Sequence, residues 1–199
     1  MRNIIVISMI TIDGVMQAPG GPEEDTSGDF KYGGWTVPYA DEHMGKVLGE
    51  ELGHPFDLLL GRKTYDIWNP YWPRQKGFIA EAFNSATKYV ASTTLIESKW
   101  QGTEILKDNV VDKIKKLKQQ IGPELQVHGS GTFVQTLLTN DLVDELRRRI
   151  FPITLGSGKR LFESGSVPAA FTLEDCSHGP SGVIFANFKR DGEVRTGLF

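Results

Sequence analysis

A cationic turn follows one apolar segment of this sequence: Leu58–Leu60 run directly into Gly61, Arg62, Lys63 and Thr64. A short apolar run before a glycine predicts a buried strand, and a helix that opens after it offers free amide N–H groups to an anion. The stretch therefore indicates a phosphate-bearing ligand. It has neither the spacing of a P-loop nor the spaced glycines of a Rossmann turn. The alternative is an ordinary turn between a strand and a helix, with solvated basic side chains.

Three other turns follow predicted strands and carry residues suited to ligand contact. They are Asp13–Gly14 after the strand Asn3–Met9, Ser92–Thr93 after Thr87–Ser92, and Gly129–Thr132 after Glu124–His128. Glycines let the backbone approach a ligand that a side chain would displace, and hydroxyl groups are ready hydrogen-bond donors. Ligands of α/β sheets bind at the carboxyl ends of strands, which is where these turns lie.

The rest of the chain predicts the elements that hold these turns. Residues 18–38, rich in glycine and proline, form a long loop of a kind that is usually functional or disordered. Apolar spacing predicts helices at 41–52, from Arg62 onward, at 78–84, 109–121 and 133–138, and β-rich segments predict further strands at 57–60, 103–106, 142–151, 170–176 and 183–189. The last two strands make a terminal antiparallel hairpin. Strands that alternate with helices and end in a hairpin indicate an α/β domain with a mixed sheet.

The composition of the chain argues against several classes of function. The 199 residues include one cysteine, Cys176, which excludes an internal disulfide and fits a reducing compartment. The formal net charge of −3 argues against general nucleic-acid binding, because affinity for a phosphate backbone needs a basic face. No apolar run approaches the ~20 residues of a membrane span and no signal peptide is evident, so we expect a cytoplasmic protein without a membrane partner. His43, His54 and His178 lack metal-ligand spacing, so we expect no metal site.

Four motifs in this order resemble those of the dihydrofolate reductase fold, and in particular the reductase domain of bifunctional riboflavin-biosynthesis deaminase-reductases and its free-standing relatives. The motifs are Ser8–Gly14, Leu60–Tyr65, Val127–Gly131, and Leu142–Leu146 through Pro152–Phe162. The resemblance covers nearly the whole chain and treats residues 1–199 as one domain. It implies a mixed sheet flanked by helices, a reductase activity, and a homodimer to which the strand 142–151 and the terminal hairpin contribute.

The resemblance also implies NADPH laid across the carboxyl ends of the sheet. It places Gly61, Arg62, Lys63 and Thr64 at the cofactor phosphates, Ser92 and Thr93 at the 2′-phosphate, and Gly129, Ser130, Gly131 and Thr132 at the nicotinamide and pyrophosphate. Met16 and Ala18 would line the nicotinamide end with Met9, and substrate contacts are expected from Met9, Trp35, His43 and His128. A dianionic 2′-phosphate favours cationic donors, so Arg62 and Lys63 beside two hydroxyls favour NADPH over NADH.

Hydride transfer is the chemistry of the cofactor, but a proton must still reach the reduced product. The acidic candidates near the nicotinamide end are Asp13 and Glu42, with Asp41 and His43 as further possibilities. Each carboxylate also has a structural explanation. Asp13 can stabilise its own turn, and Asp41 and Glu42 can favour the start of the first helix.

Two departures from the family pattern bear on the substrate. Dihydrofolate reductases carry an acid on the first helix at a place that corresponds to Met44 or Gly45, and Asp41 and Glu42 lie about one turn earlier. In the riboflavin-pathway domains an acid precedes the paired glycines, where this chain has His128. This histidine is either a substrate contact or an internally satisfied residue at a strand end.

We therefore expect a stand-alone, NADPH-dependent reductase of a small heterocyclic substrate of pyrimidine or pterin type. One alternative is a non-catalytic nucleotide-binding or regulatory protein on the same fold. Another is a small-molecule binding module that takes no nicotinamide. Cofactor binding and turnover tell these three apart.

Overall fold

The computed structural model describes residues 1–163 and 165–198. The strands within this part are β1 (Ile4–Thr11), β2 (Phe56–Gly61), β3 (Lys88–Ala91), β4 (Thr103–Leu106), β5 (Glu124–Val127), β6 (Glu145–Phe151), β7 (Phe171–His178) and β8 (Ile184–Arg190). The α-helices are α1 (Glu42–Gly53), α2 (Arg62–Trp68), α3 (Phe78–Ser85), α4 (Val110–Gln119) and α5 (Gly131–Thr139). None of the helices in the described ranges is long and apolar enough to cross a membrane.

All eight strands join one sheet in the order β4-β3-β2-β5-β1-β6-β8-β7. The first six strands in this order run parallel, and β8 runs antiparallel to both of its neighbours. β1 lies inside the sheet, where Ile5 is in register with Gln126 of β5 and with Glu145 of β6. The predicted α/β fold, a mixed sheet flanked by helices with a C-terminal antiparallel hairpin, is confirmed.

Side chains alternate between the two faces of the sheet, and each face carries its own buried core. Val6 of β1 and Leu59 of β2 pack with α4 and α5 on one face. Leu58 and Leu60 pack with α1 and with Phe83 of α3 on the other face. Because burial of a large aliphatic side chain contributes roughly 1.5–3 kcal/mol, these two cores fix the helices that surround the candidate site.

The first helix is anchored at its N-terminus by Asp41. The Asp41 Oδ1 atom accepts a hydrogen bond from Met44 N at 2.7 Å, and Oδ2 accepts one from Ser181 N at 3.1 Å. These bonds, that from Met44 first, lower the pKa of Asp41 to about 2. As the N-cap residue of α1, Asp41 therefore connects this helix to the turn between β7 and β8 and sets where the helix lies over the sheet.

The loop 18–38 folds back onto the body of the protein. The Trp35 indole Nε1 donates to Gln17 O at 2.7 Å, and the indole packs edge-on against Phe151 with ring centroids 5.1 Å apart. Ala18 and Phe30 belong to the same buried cluster. These contacts hold the beginning of the loop beside the carboxyl end of β1.

β6 begins at Glu145, later than the predicted start at Leu142. The Leu142 amide bonds back to Leu137 O of α5 at 3.0 Å, and the Asp144 carboxylate accepts from Ile4 N at 2.8 Å. The preceding residues therefore connect α5 to β1 and do not extend the strand.

Candidate functional site

A cavity of about 370 Å³ opens at the carboxyl ends of the central strands. Its apolar walls include Met9 and Met16 on the strand side and Leu48, Leu52, Ile67, Trp68, Trp72, Ile79 and Phe83 on the helical side. Polar groups in the lining include Glu24, Glu51, Lys63, His128, Arg149 and Lys159. A largely apolar pocket with a few placed polar groups is typical of small-molecule sites.

Two glycines bring the turns after β2 and β5 into close contact. A Cβ atom at Gly61 would lie 2.9 Å from both Ser130 Oγ and Phe133 Cβ. Gly129 has a φ of +80°, and a Cβ atom there would lie 3.0 Å from Met16 Cε. The peptide bond between Gly129 and Ser130 is cis. Both positions therefore require glycine, and backbone rather than side chain forms this part of the cavity edge.

The Arg62 guanidinium is held on two sides, next to the cavity-lining Lys63. Its Nε donates to both carboxylate oxygens of Asp66, at 2.7 and 2.9 Å. Its Nη1 donates to Ser92 Oγ at 3.2 Å and to Thr94 Oγ1 at 2.8 Å. A cation and two hydroxyl groups thus cluster where β2 and β3 end, and this donor set suits a phosphate group.

A polar network crosses the sheet face beneath α1. Arg149 donates through Nη2 to Glu51 Oε1 at 2.8 Å and through Nη1 to Asn187 Oδ1 at 3.1 Å. Arg147 donates to the same Glu51 oxygen at 3.3 Å and to Glu124. The Glu51 and Arg149 side chains are only 5% and 3% exposed, so this ion pair is buried in the cavity wall. Within the described residues, Arg149 Nε has no hydrogen-bond partner.

The network continues along β5 to His128. Gln126 Nε2 donates to Glu124 Oε1 at 2.8 Å, and Gln126 Oε1 lies 3.1 Å from His128 Nε2. Trp68 and Phe83 flank the imidazole, with ring centroids 5.2 and 5.3 Å away. Burial, reinforced by two nearby arginines, lowers the pKa of His128 to about 3. The imidazole is therefore neutral at pH 7.

Many of the residues expected at the site do line the cavity: Met9, Met16, Ala18, Lys63, Thr64, His128, Gly129, Ser130 and Gly131. Beside the cavity, Arg62 Nη1 donates a hydrogen bond to Ser92 Oγ. The second hydroxyl at Arg62 belongs to Thr94, whereas Thr93 makes no hydrogen bond to this guanidinium. Gly61 lies behind the cavity edge, against α5.

Trp35, His43 and Thr132 are also outside the cavity lining. Trp35 holds the loop 18–38 against the sheet. His43 Nε2 lies 3.0 Å from Ser177 Oγ, and its ring packs edge-on against Phe185. Thr132 lies in the first turn of α5.

The carboxylates of Asp13 and Glu42 are also not part of the cavity lining. Asp13 Oδ2 accepts from Gly156 N at 2.8 Å, and the Thr11 hydroxyl, as the largest contribution, lowers the pKa of Asp13. Glu42 is exposed in the first turn of α1. Among the residues that the structure describes, no cluster of histidine, cysteine or acidic side chains could hold a metal ion.

Glu24 is a carboxylic acid that does reach the cavity. It lies in the loop 18–38, and its Oε2 accepts a hydrogen bond from Gly20 N at 2.6 Å. Burial raises the pKa of Glu24 above its ordinary value despite that bond. Glu24 therefore holds a proton more readily than an exposed glutamate does.

Sequence reasoning missed Glu24, Glu51, Arg149, Trp68 and Phe83. One signal was available, because Arg147–Arg149 form an unbroken cationic run in a strand predicted to lie within the sheet. Arginines buried there require acidic partners from another element. Helical spacing places Glu51, unlike its exposed neighbour Glu50, on the apolar side of α1, but the sequence does not show that it pairs with Arg149. The two aromatic residues resemble ordinary core residues.

The chain belongs to the RibD C-terminal domain family, whose model matches residues 2–185. The resemblance drawn from the four sequence motifs is thereby confirmed. A relative in Bacillus subtilis (strain 168), the uncharacterized protein YyaP, is 30% identical over 166 residues, which are 81% of this chain and 80% of YyaP.

Solved structures support the same fold. A protein assigned to riboflavin biosynthesis from Shewanella sp. PV-4 matches with a TM-score of 0.70 and 22% identity, over 95% of this chain and 99% of that one. Dihydrofolate reductase from Enterococcus faecalis, solved as a complex with NADP(H), matches with a TM-score of 0.60 and 13% identity, over 95% and 96% of the two chains. The fold and the family together support a function of reductase type.

Proposed function

We propose that this protein is a reductase that uses NADPH to transfer hydride to a small heterocyclic substrate. The observation that carries the proposal is the Arg62 cluster with Ser92 and Thr94, which adjoins a cavity with largely apolar walls. The cluster suits the 2′-phosphate that distinguishes NADPH from NADH. The cavity offers the dry surroundings in which a nicotinamide and a ring can be held face to face.

The residues present fit this cofactor. Arg62, Ser92 and Thr94 would hold the 2′-phosphate, and the backbone around Gly129 would approach the pyrophosphate where a side chain would obstruct it. Lys63 adds a second positive charge at the cavity edge. When bound, NADPH supplies the hydride, and the protein supplies orientation, exclusion of water and a proton.

In this proposal Glu24 donates the proton. It lies in the cavity lining and its raised pKa favours the protonated acid, which is the form that a proton donor needs. Glu51 suits this role less well, because its carboxylate is already engaged by hydrogen bonds from Arg147 and Arg149. The loop 18–38 thus closes one side of the cavity and brings an acid to it.

We further propose that the protein forms a homodimer through its terminal hairpin. β7 lies at the edge of the sheet, and Thr172–Cys176 are exposed. The exposed fractions of Leu173 and Ile184 are 51% and 41%, which is high for large apolar side chains in a sheet. Sedimentation at micromolar concentration tests this part of the proposal, and a monomer would contradict it.

Titration of the purified protein with NADPH and NADH tests the cofactor assignment. Trp68 and Trp72 line the cavity, so their fluorescence should report binding. We expect tighter binding of NADPH, and no response to either nucleotide would contradict the assignment. NADPH oxidation is then measured against dihydrofolate, a pyrimidine ribityl phosphate, quinones and pterins. Tight binding without oxidation of NADPH would instead support a non-catalytic nucleotide-binding protein.

A further inference from the structure

The contacts of Gln126 determine which nitrogen of His128 carries the proton. The Glu124 carboxylate, which also pairs with Arg147, accepts a hydrogen bond from the Gln126 amide group at 2.8 Å. The reverse orientation of Gln126 would place its carbonyl oxygen against the carboxylate, where two acceptors repel each other. The Gln126 carbonyl oxygen therefore faces His128 Nε2 at 3.1 Å, and that nitrogen must be the N–H donor.

A neutral imidazole with a proton on Nε2 has a bare acceptor at Nδ1. The positive charges that face this ring come from Arg147 and Arg149 of β6, and both oppose a second proton. Within the described residues Nδ1 makes no hydrogen bond, while His128 is partly exposed in the cavity lining. The cavity thus presents an acceptor nitrogen between the aromatic rings of Trp68 and Phe83.

We propose that Glu124 and Gln126 hold His128 as the Nε2–H tautomer, and that Nδ1 accepts a hydrogen bond from a ring N–H or amino group of the substrate. Recognition of the substrate by Nδ1, the recognition half of the proposal, rests on the proposed function and adds to it. The assignment of the Nε2–H tautomer does not depend on the proposed function. The Nε2 proton of His128 is held in the hydrogen bond to Gln126. His128 therefore recognises the substrate through Nδ1 and does not supply the proton for the reaction. Glu124 and Gln126 are positioning residues that act through His128.

Nitrogen NMR of the full-length protein with ¹⁵N-labelled histidine tests the tautomer at pH 7 without any cofactor. We expect His128, assigned by its loss in His128→Gln, to show a protonated Nε2 and an unprotonated Nδ1. Gln126→Leu should mix or reverse the tautomers, and Glu124→Gln, whose amide can donate as well as accept, should no longer fix the orientation of Gln126 and should mix the tautomers too. A protonated Nδ1 or a charged ring in the wild-type protein would overturn the proposal even if Gln126→Leu did not fold.

Two matched probes test recognition. 2,4-Diaminopyrimidine carries amino donors, and 2,4-dimethoxypyrimidine has the same ring without them. We expect only the first to move the His128 Nδ1 resonance toward the protonated position, and His128→Gln to weaken its binding about tenfold, as expected for one lost hydrogen bond. Equal shifts with both probes, or no shift with either, would overturn the recognition half. NADPH binding is measured separately, so failure of the cofactor assignment has its own readout.

Discussion

Arg62 Nη1 lies 2.8 Å from the Thr94 hydroxyl oxygen, which connects the first residue of α2 to the loop after β3. Asp66, one turn further along α2, accepts two hydrogen bonds from Nε of the same guanidinium. A partly exposed ion pair of this kind contributes only about 0.3–0.5 kcal/mol to stability. Its importance lies in geometry, because it holds Arg62 among hydroxyl groups before a ligand arrives.

Replacement of Arg62 should separate the two nicotinamide cofactors. Arg62→Ala is expected to weaken NADPH binding by roughly 1–3 kcal/mol, because a charge-assisted bond to the 2′-phosphate is lost. Binding of NADH, which lacks that phosphate, should hardly change. Fluorescence titration measures both, and the exposed Arg195 provides a control in Arg195→Ala. Equal losses for both nucleotides would remove the 2′-phosphate assignment.

The buried Glu51–Arg149 pair should be important for stability. Glu51→Gln leaves the Arg149 charge without its carboxylate in a nearly dry site and is expected to lower the free energy of unfolding by about 3 kcal/mol. Glu50→Gln, at the adjacent and exposed position, should change it by less than about 0.5 kcal/mol. Urea unfolding compares the two variants. Similar stabilities would show that the ion pair contributes little.

Gly61 should not tolerate even a methyl group. Gly61→Ala places a Cβ atom 2.9 Å from Phe133 Cβ and Ser130 Oγ, which are on another element. The clash should cost roughly 1–3 kcal/mol. Gly49→Ala in α1, where no atom lies within 4 Å of the added Cβ, should stabilise the protein by about 0.5–1 kcal/mol. Thermal unfolding of the pair should move in opposite directions, and a neutral Gly61→Ala would contradict the contact.

His128 should make stability depend on pH. Its pKa is about 3 in the folded protein, whereas an unfolded histidine titrates near ~6.5. The unfolded chain alone therefore takes up this proton as pH falls below ~6.5, so stability is lost in that direction. Between pH 7.5 and 5.0, the wild type should lose roughly 1–2 kcal/mol more than His128→Gln. Urea unfolding at the two pH values measures the difference. If the wild type and His128→Gln lost the same free energy of unfolding, His128 would take up its proton in the folded protein as well.

Glu24 should control the pH profile of NADPH oxidation. The acid donates only when protonated, so the rate with a reducible substrate should fall as pH rises through the raised pKa of Glu24. Glu24→Gln should lower kcat by roughly 10²–10⁴-fold and abolish that limb of the profile. The exposed neighbour Glu23 supplies the control, since Glu23→Gln should keep both the wild-type kcat and the wild-type pH profile. An unchanged profile in Glu24→Gln would exclude this residue as the donor.

The sequence predicts the architecture well because its signals are local. Apolar runs mark β1 and β2, helical spacing marks α1 and α4, and the glycine turns mark the ends of strands. The boundaries that shifted depend on distant partners. β6, for example, begins only at Glu145 because the residues before it bond to α5 and β1.

The residues on the proposed cofactor side of the candidate site were easier to predict from the sequence than those on the proposed substrate side. The residues after β2 and β5 form short contiguous motifs, whereas Glu51 and Arg149 come from a helix and a strand that are far apart in the sequence. Their pairing requires the register of β6 and the position of α1 over the sheet. The tautomer of His128 depends on its hydrogen bond with Gln126, whose amide orientation follows from the Glu124 carboxylate, and these side-chain contacts are visible only in the folded structure.

The position of β1 within the sheet has a consequence for synthesis of the chain. Val6 is in register with Val127 of β5 and Leu146 of β6, so its partners are translated much later. At about 5–20 residues per second, roughly 7–30 s pass before the second partner is made. Pairing over such sequence separations is also slow in itself. During synthesis β1 therefore stays an unpaired apolar segment until β5 and β6 have been made, and a chain that stops before β6 leaves one edge of β1 without a partner strand.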